Sequence, residues 1–351
     1  MPLGIAILDL TRLLPGAAAT ALLAERGAEV IKIEQPGGGD YARSLIPAVF
    51  AATNAGKKSV SINLKDPRGR DLLISLVRNA DVLIEGFRPG TMKRLGLGYN
   101  ELREVNQRII YASLTGYGQS GAYADLAGHD VNYLALSGVL DLNLPVIPGV
   151  QIADLAGGAM QAVIAILFAL LERGATGEGR YLDVSMLAGV ESLLTIPLAA
   201  YRTTGRAPRA GEEILSGRYA CYNLYEASDS RWLAVGALEP KFWAALCGQL
   251  ECEDLIPLQF CEDERREAIK NRVASIFRMR TASEWFDALR SHDCCVTPVL
   301  NVAEVAARMP QPDPTRRPPR LGEHTRPVLD SMGVGAAELD ALEAAGVIES
   351  R

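Results

Sequence analysis

Only three histidines occur in this chain of 351 residues, and one of them, His129, stands between a glycine and an aspartate in LAGHDVNYLALSG, where a helical pattern begins. An imidazole titrates near neutrality, so it can carry a proton in either direction at physiological pH. The same tripeptide equally suits a plain turn in which Asp130 caps the helix. A second candidate, Asp154, stands at the start of the helical run IADLAGGAMQAVIAILFALLERG. It could serve as an N-cap alone. Yet Leu155, Ala156, Gly157 and Gly158 follow it, and mostly small side chains would leave the amides of a helix N-terminus open to a developing oxyanion. Glu239, in GALEPKFW, precedes Pro240 at a strand-to-helix junction, where a carboxylate complements the helix dipole.

Two basic segments stand out from an acidic background. NAGKKSVSINLKDPRGR carries Lys57, Lys58, Lys65, Arg68 and Arg70 against Asp66, and EGFRPGTMKRLGLG carries Arg88, Lys93 and Arg94 against Glu85. Each flanks a predicted strand end, the place where open α/β sheets bind ligands. Solvated surface charge and phosphate contacts both fit such segments.

These residues need a frame. GIAILD (4–9) and AEVIKIE (28–34) read as buried strands, with PGAAATALLAERG between them as a helix opened by Pro15 and closed by Gly27. That is a β-α-β unit, and SVSIN, DVLIEGF, IIYASLTGYG and YLDVSML continue the alternation. The fold class expected is α/β, with a large doubly wound, Rossmann-like parallel sheet and a smaller α+β domain. The first unit lacks G-x-G-x-x-G, so Glu34 is not read as a ribose-binding acid of a dinucleotide site. RYACYNLYEASDSRWLAVGA reads as a hairpin turning at Ser228, Asp229 and Ser230, followed by helices near 239–250, 263–277 and 281–291 and the strand CCVTPVL. The domains expected are 1–188 (large), 189–218 (linker) and 219–308 (small). A return segment and final helix, 309–351, lead back to the large domain.

A net charge of −6, with 48% hydrophobic and 22% charged residues, argues against nucleic acid or an anionic membrane as a general partner. The start, MPLGIAILDL, enters a strand-like run with no basic leader, and the apolar run MQAVIAILFALLERG reads as too short to span a membrane. The six cysteines contain no C-x-x-C pair, so no metal site is expected, and reduced thiols in the cytoplasm are.

Five stretches in register, LLPGAAATALLAERGAEVIKIEQPGGGD, DVLIEGFRPGTMKRLGLG, AGHDVNYLALSG, IADLAGG and GALEPKFW, resemble the family III CoA-transferase superfamily, specifically its α-methylacyl-CoA racemase branch. The resemblance runs from residue 4 to about residue 300. It implies an acyl-CoA substrate and a homodimer of interlocked chains, with RPPRLGEH as the piece returning to the large domain. It implies catalytic roles for His129, Asp154 and Glu239, CoA contacts from Lys65, Arg88 and Arg94, and no required metal or redox cofactor. The matching aspartate in the transferases becomes acylated, whereas the histidine of GHD and the glutamate of GALEP belong to the racemase pattern. Racemisation or epimerisation of 2-methylacyl-CoA thioesters through an enolate is therefore expected. The alternatives are a CoA transferase using Asp154 and a catalytically idle acyl-CoA-binding protein. LDLNLPVIPGV is short for the family, and a segment usual between Ala307 and Arg316 is missing.

Overall fold

The computed structural model describes residues 4–311 and 313–351. Residues 1–3, ahead of the first strand, and Pro312, in the proline/arginine-rich segment, lie outside them. The chain divides into two compact units: residues through Ile196 with the chain after Gln311, and Pro197–Gln311.

The first unit is built on a seven-stranded sheet. Its strands are β1 (Ala6–Leu10), β2 (Glu29–Glu34), β3 (Lys58–Ile62), β4 (Val82–Glu85), β5 (Ile110–Thr115) and β6 (Arg180–Ser185). They lie in the order β3-β2-β1-β4-β5-β6, all parallel. The central strands send apolar side chains to both faces because both faces are covered. Ile7, Val30, Val82 and Ile84 join one core, and Leu8, Ile33, Val60 and Leu83 the other. The strand order reverses between β1 and β4, which opens a crevice beyond their carboxyl ends.

The second unit carries the expected hairpin, β7 (Tyr222–Glu226) paired antiparallel with β8 (Trp232–Gly236). Ser230, in its turn, has a positive φ of 59°. The third strand, β9, is only Val296–Pro298, shorter than CCVTPVL suggested. Helices Pro240–Gln249, Arg265–Phe277 and Ala282–Leu289 complete this unit around Trp243, Phe277 and Trp285.

After the second unit the chain returns to the first. The amides of Gly322 and His324 donate to the hydroxyl and carbonyl of Ser59, and a last strand, β10 (Ile348–Glu349), pairs antiparallel with β3. One expectation about length is corrected. The apolar run near residue 165 belongs to a continuous helix, Ala153–Thr176, whose 24 residues are long and apolar enough to cross a membrane. It is packed on the sheet through Ala153, Ala159, Ala162, Ile166 and Ala169. The expectation weighed only the apolar run from Met160, whereas the helix that contains it begins at Ala153.

Candidate active site

A cleft of about 1050 Å³ opens at the carboxyl ends of the central strands. Thr11–Gly16 after β1, Gly86–Pro89 after β4 and Thr115–Tyr117 after β5 form its floor. His129, Asp130 and Asp154 line it together. Two of the three expected catalytic residues thus meet in one cavity, at the switch point that the strand order predicts.

His129 is the exposed, extended residue (φ −130°, ψ 178°) ahead of the helix Asp130–Ser137. Its amide donates to Asn132 Oδ1 at 3.0 Å. The residue before it is fixed from below: the Tyr133 hydroxyl donates to the Gly128 carbonyl at 2.6 Å. Glycine is required there, because a Cβ would lie 2.4 Å from the Tyr117 hydroxyl. Tyr117 in turn packs edge-on against Tyr133, with ring centroids 5.0 Å apart. Burial, together with the negative charge of Asp154, raises the Tyr133 phenol and keeps it a donor.

Asp154 lies in a π-helical turn, Ala153–Met160, that opens the long helix. Such turns occur often at functional sites. Burial pushes its carboxyl up to about 6, the negative charge of Asp130 adds to the rise, and His129 opposes it. The expected role of the neighbouring glycines is corrected. Gly157 and Gly158 are buried, and Cβ atoms there would meet the Met186 carbonyl at 2.7 Å and the Met186 side chain at 2.8 Å. They exist so that the turn can press against the helix Met186–Glu191, rather than to bare its amides. The Asp154 amide is also taken, donating to Asp130 Oδ1 at 2.9 Å, and that of Leu155 donates to Gln151. The amides of Asp130 and Val131, at the start of the other helix, have no acceptor among the described residues, and neither do those of Arg12, Leu14 and Gly16 in the cleft lining.

Of the expected phosphate contacts, Arg88 lines the cleft, and its guanidinium has no acceptor among the described residues. Lys65 and Arg94 are exposed on the segments after β3 and β4, outside the cleft lining, with Arg94 bonded to Thr91 Oγ1 at 2.9 Å. The first basic segment is less free than its composition suggested. Lys57 is buried and pairs with Asp9 at 3.1 Å, while Lys58 pairs with Glu29 and Arg68 with Asp66. Sequence reasoning missed Arg12, whose guanidinium sits 5.1 Å from the ring centroids of both Tyr41 and Phe87 at the cleft wall. Nothing in its local sequence signals this, since the two rings come from distant segments. Glu239 stands exposed in the second unit, extended ahead of Pro240 at the start of the helix Pro240–Gln249.

Residues 3–313 match the family model for CoA-transferase family III. The chain belongs to that family. Human alpha-methylacyl-CoA racemase is 35% identical over 99% of this chain and 97% of its own length. Acetyl-CoA:oxalate CoA-transferase of Acetobacter aceti is 36% identical over 88% of this chain and 82% of its own. Among solved structures, a CAIB/BAIF family protein from Brucella suis superposes with a TM-score of 0.79 at 27% identity, covering 94% of this chain and 98% of that one. Family III thus places the cleft in a fold whose members include both racemases and transferases.

Proposed function

We propose that the protein interconverts the two configurations of 2-methylacyl-CoA thioesters by removing and returning the α-proton. The observation that carries this is the meeting of His129 and Asp154 in one cleft, with the Asp154 carboxyl brought up to about 6. Inversion needs a base on one face of the α-carbon and an acid on the other, both able to change protonation state near neutral pH. An imidazole and a carboxyl raised by burial meet that need. The α-proton of a thioester is very weakly acidic, so the thioester oxygen must be stabilised as it gains charge. The Asp130 and Val131 amides are suited to this, and one such donor is typically worth ~3 kcal/mol.

In this reading Arg12 and Arg88 hold the diphosphate of CoA. Lys65 and Arg94, on the exposed turns after β3 and β4, reach the more distant phosphate. Glu239 keeps in this proposal the catalytic role that the racemase resemblance implies. A homodimer is also proposed. What supports it is the exposed apolar face of the long helix, formed by Met160, Ile164, Leu167, Phe168 and Leu171, the kind of surface that marks interaction sites.

The test is α-proton exchange in heavy water across a panel of 2-methylacyl-CoA esters. The wild type should exchange and invert both enantiomers. His129→Ala should lose inversion in both directions yet still exchange, with retention, the enantiomer that Asp154 faces, and Asp154→Ala should show the opposite preference. Equal residual exchange of both enantiomers in His129→Ala refutes the two-base assignment. A second reading, transfer of CoA with Asp154 as the acylated nucleophile, is favoured by the Acetobacter aceti relative. It predicts instead that CoA moves to an added free acid, with no exchange at the α-carbon.

A further inference from the structure

The two proton carriers of the proposed reaction are joined by a third residue. Asp130 is the first residue of the helix that follows His129, a position where a carboxylate ordinarily serves its own helix. Here its Oδ1 accepts instead from the amide of Asp154, 24 positions away, at 2.9 Å. One carboxylate thus spans the beginnings of both helices, inside the same cleft. We infer that Asp130 is a positioning residue for the His129–Asp154 pair: its carboxylate ties the turn carrying Asp154 to the helix following His129 and holds a negative charge beside the Asp154 carboxyl. The inference rests on the reading of Asp154 as a proton carrier.

The surroundings of Asp154 leave this part to Asp130. The charged groups that act on it are Asp130, which raises it, and His129, which lowers it. The Tyr133 phenol, on the same helix as Asp130, is the further titratable group beside it. The helices Pro15–Glu25 and Met186–Glu191, strand β6 and the remainder of the long helix, all packed against the turn, bring no charge to bear on it. A second carboxylate near a first favours the protonated form of one of them. The same group that sets the turn in place therefore also adds to the rise that burial gives the Asp154 carboxyl.

Two variants separate the tie from the charge. Asp130→Asn keeps an oxygen that can accept the Asp154 amide and removes the charge, whereas Asp130→Ala removes both. The Asp154 carboxyl is titrated by NMR in protein carrying ¹³C-labelled aspartate, assigned with Asp154→Asn, alongside the pH profile of α-proton exchange. In Asp130→Asn the midpoint of Asp154 should fall by roughly one pH unit. The acid limb of kcat/KM should move with it for the enantiomer that Asp154 deprotonates. In Asp130→Ala, kcat should in addition fall about tenfold with KM little changed, the loss expected from one hydrogen bond. An unchanged Asp154 midpoint in Asp130→Asn overturns the inference, and this variant decides the matter even if Asp130→Ala does not fold. If the wild type exchanges no α-proton while the midpoint still falls, the proposed reaction fails and the coupling of the two aspartates stands.

Discussion

Gly189→Ala tests how the Asp154 turn is held, and even the sign of its effect is informative. Gly189 lies in the helix Met186–Glu191, where alanine ordinarily gains about 1 kcal/mol over glycine through lower backbone entropy in the unfolded chain. A Cβ at this position, however, would lie 2.0 Å from the Gly157 carbonyl oxygen and 2.7 Å from its carbon. Both are backbone atoms, so no rotamer change relieves the clash, and the two helices must part by roughly 1.4 Å. Forcing a methyl into a packed contact costs ~3 kcal/mol at the upper end of the usual range. The net loss is then about 2 kcal/mol, or roughly 5 °C in melting temperature for a unit of this size. Gly174→Ala, in the helix Gln161–Thr176 with nothing within 4 Å of its added Cβ, is the matched control and should melt at or above the wild type. Differential scanning calorimetry of the three proteins at one concentration measures this. Because Gly157 sits three residues beyond Asp154, Gly189→Ala should also slow α-proton exchange more than Gly174→Ala does. A Gly189→Ala protein melting at or above the wild type would refute the close-packing argument.

Glu85 is buried under hydrogen bonds from Ser113 Oγ and the Phe87 amide, and burial raises it from 4.5 to about 6. The stability it contributes is thus fully present below its unfolded value and is lost as pH rises through 6, about 2 kcal/mol in all. Glu85→Gln should therefore gain in melting temperature relative to wild type between pH 4.5 and pH 7, and a constant difference across that range would contradict the assignment. Lys57→Met strands the buried Asp9 carboxylate and should cost roughly 3 kcal/mol, the low end for such a loss because Lys32 also acts on Asp9. Urea unfolding of Asp9→Asn with Lys57→Met should return at least about 1 kcal/mol of it, and strict additivity would show that the pair is not coupled. Arg88→Ala and Arg94→Ala should each raise the KM for an acyl-CoA with kcat almost unchanged, because a phosphate contact is equal in ground and transition states. A fall in kcat at constant KM would remove either residue from the phosphate site.

The parallel sheet was legible because its signal is local. Alternating apolar runs and a helix opened by Pro15 and closed by Gly27 report on themselves, as do the hairpin residues Ser228 to Ser230. His129 and Asp154 were legible as chemistry-bearing types in a recognisable order, and their meeting in one cleft follows from the strand order. What stayed hidden depends on partners far along the chain. Lys57 looks like Lys58 in sequence, yet one is buried against Asp9 and the other exposed beside Glu29. Arg12 finds its place only between Tyr41 and Phe87. The glycines after Asp154 suggested open amides until Met186 and Gly189 were seen to occupy the space beside them.

The pairing of β10 with β3 has a consequence for how the molecule is made. Proteins emerge from the ribosome in order, and domains generally fold as units while they do so. In this chain the unit Pro197–Gln311 is contiguous and complete within its own stretch, whereas the sheet around the cleft is assembled from sequence on both sides of it. During synthesis, β3 therefore waits as an open strand edge while more than two hundred residues are still to come. An unpaired edge is a template for pairing with other chains. The nascent chain is most exposed to chaperones and to misassembly during that interval, and it ends when Ile348 and Glu349 close the edge.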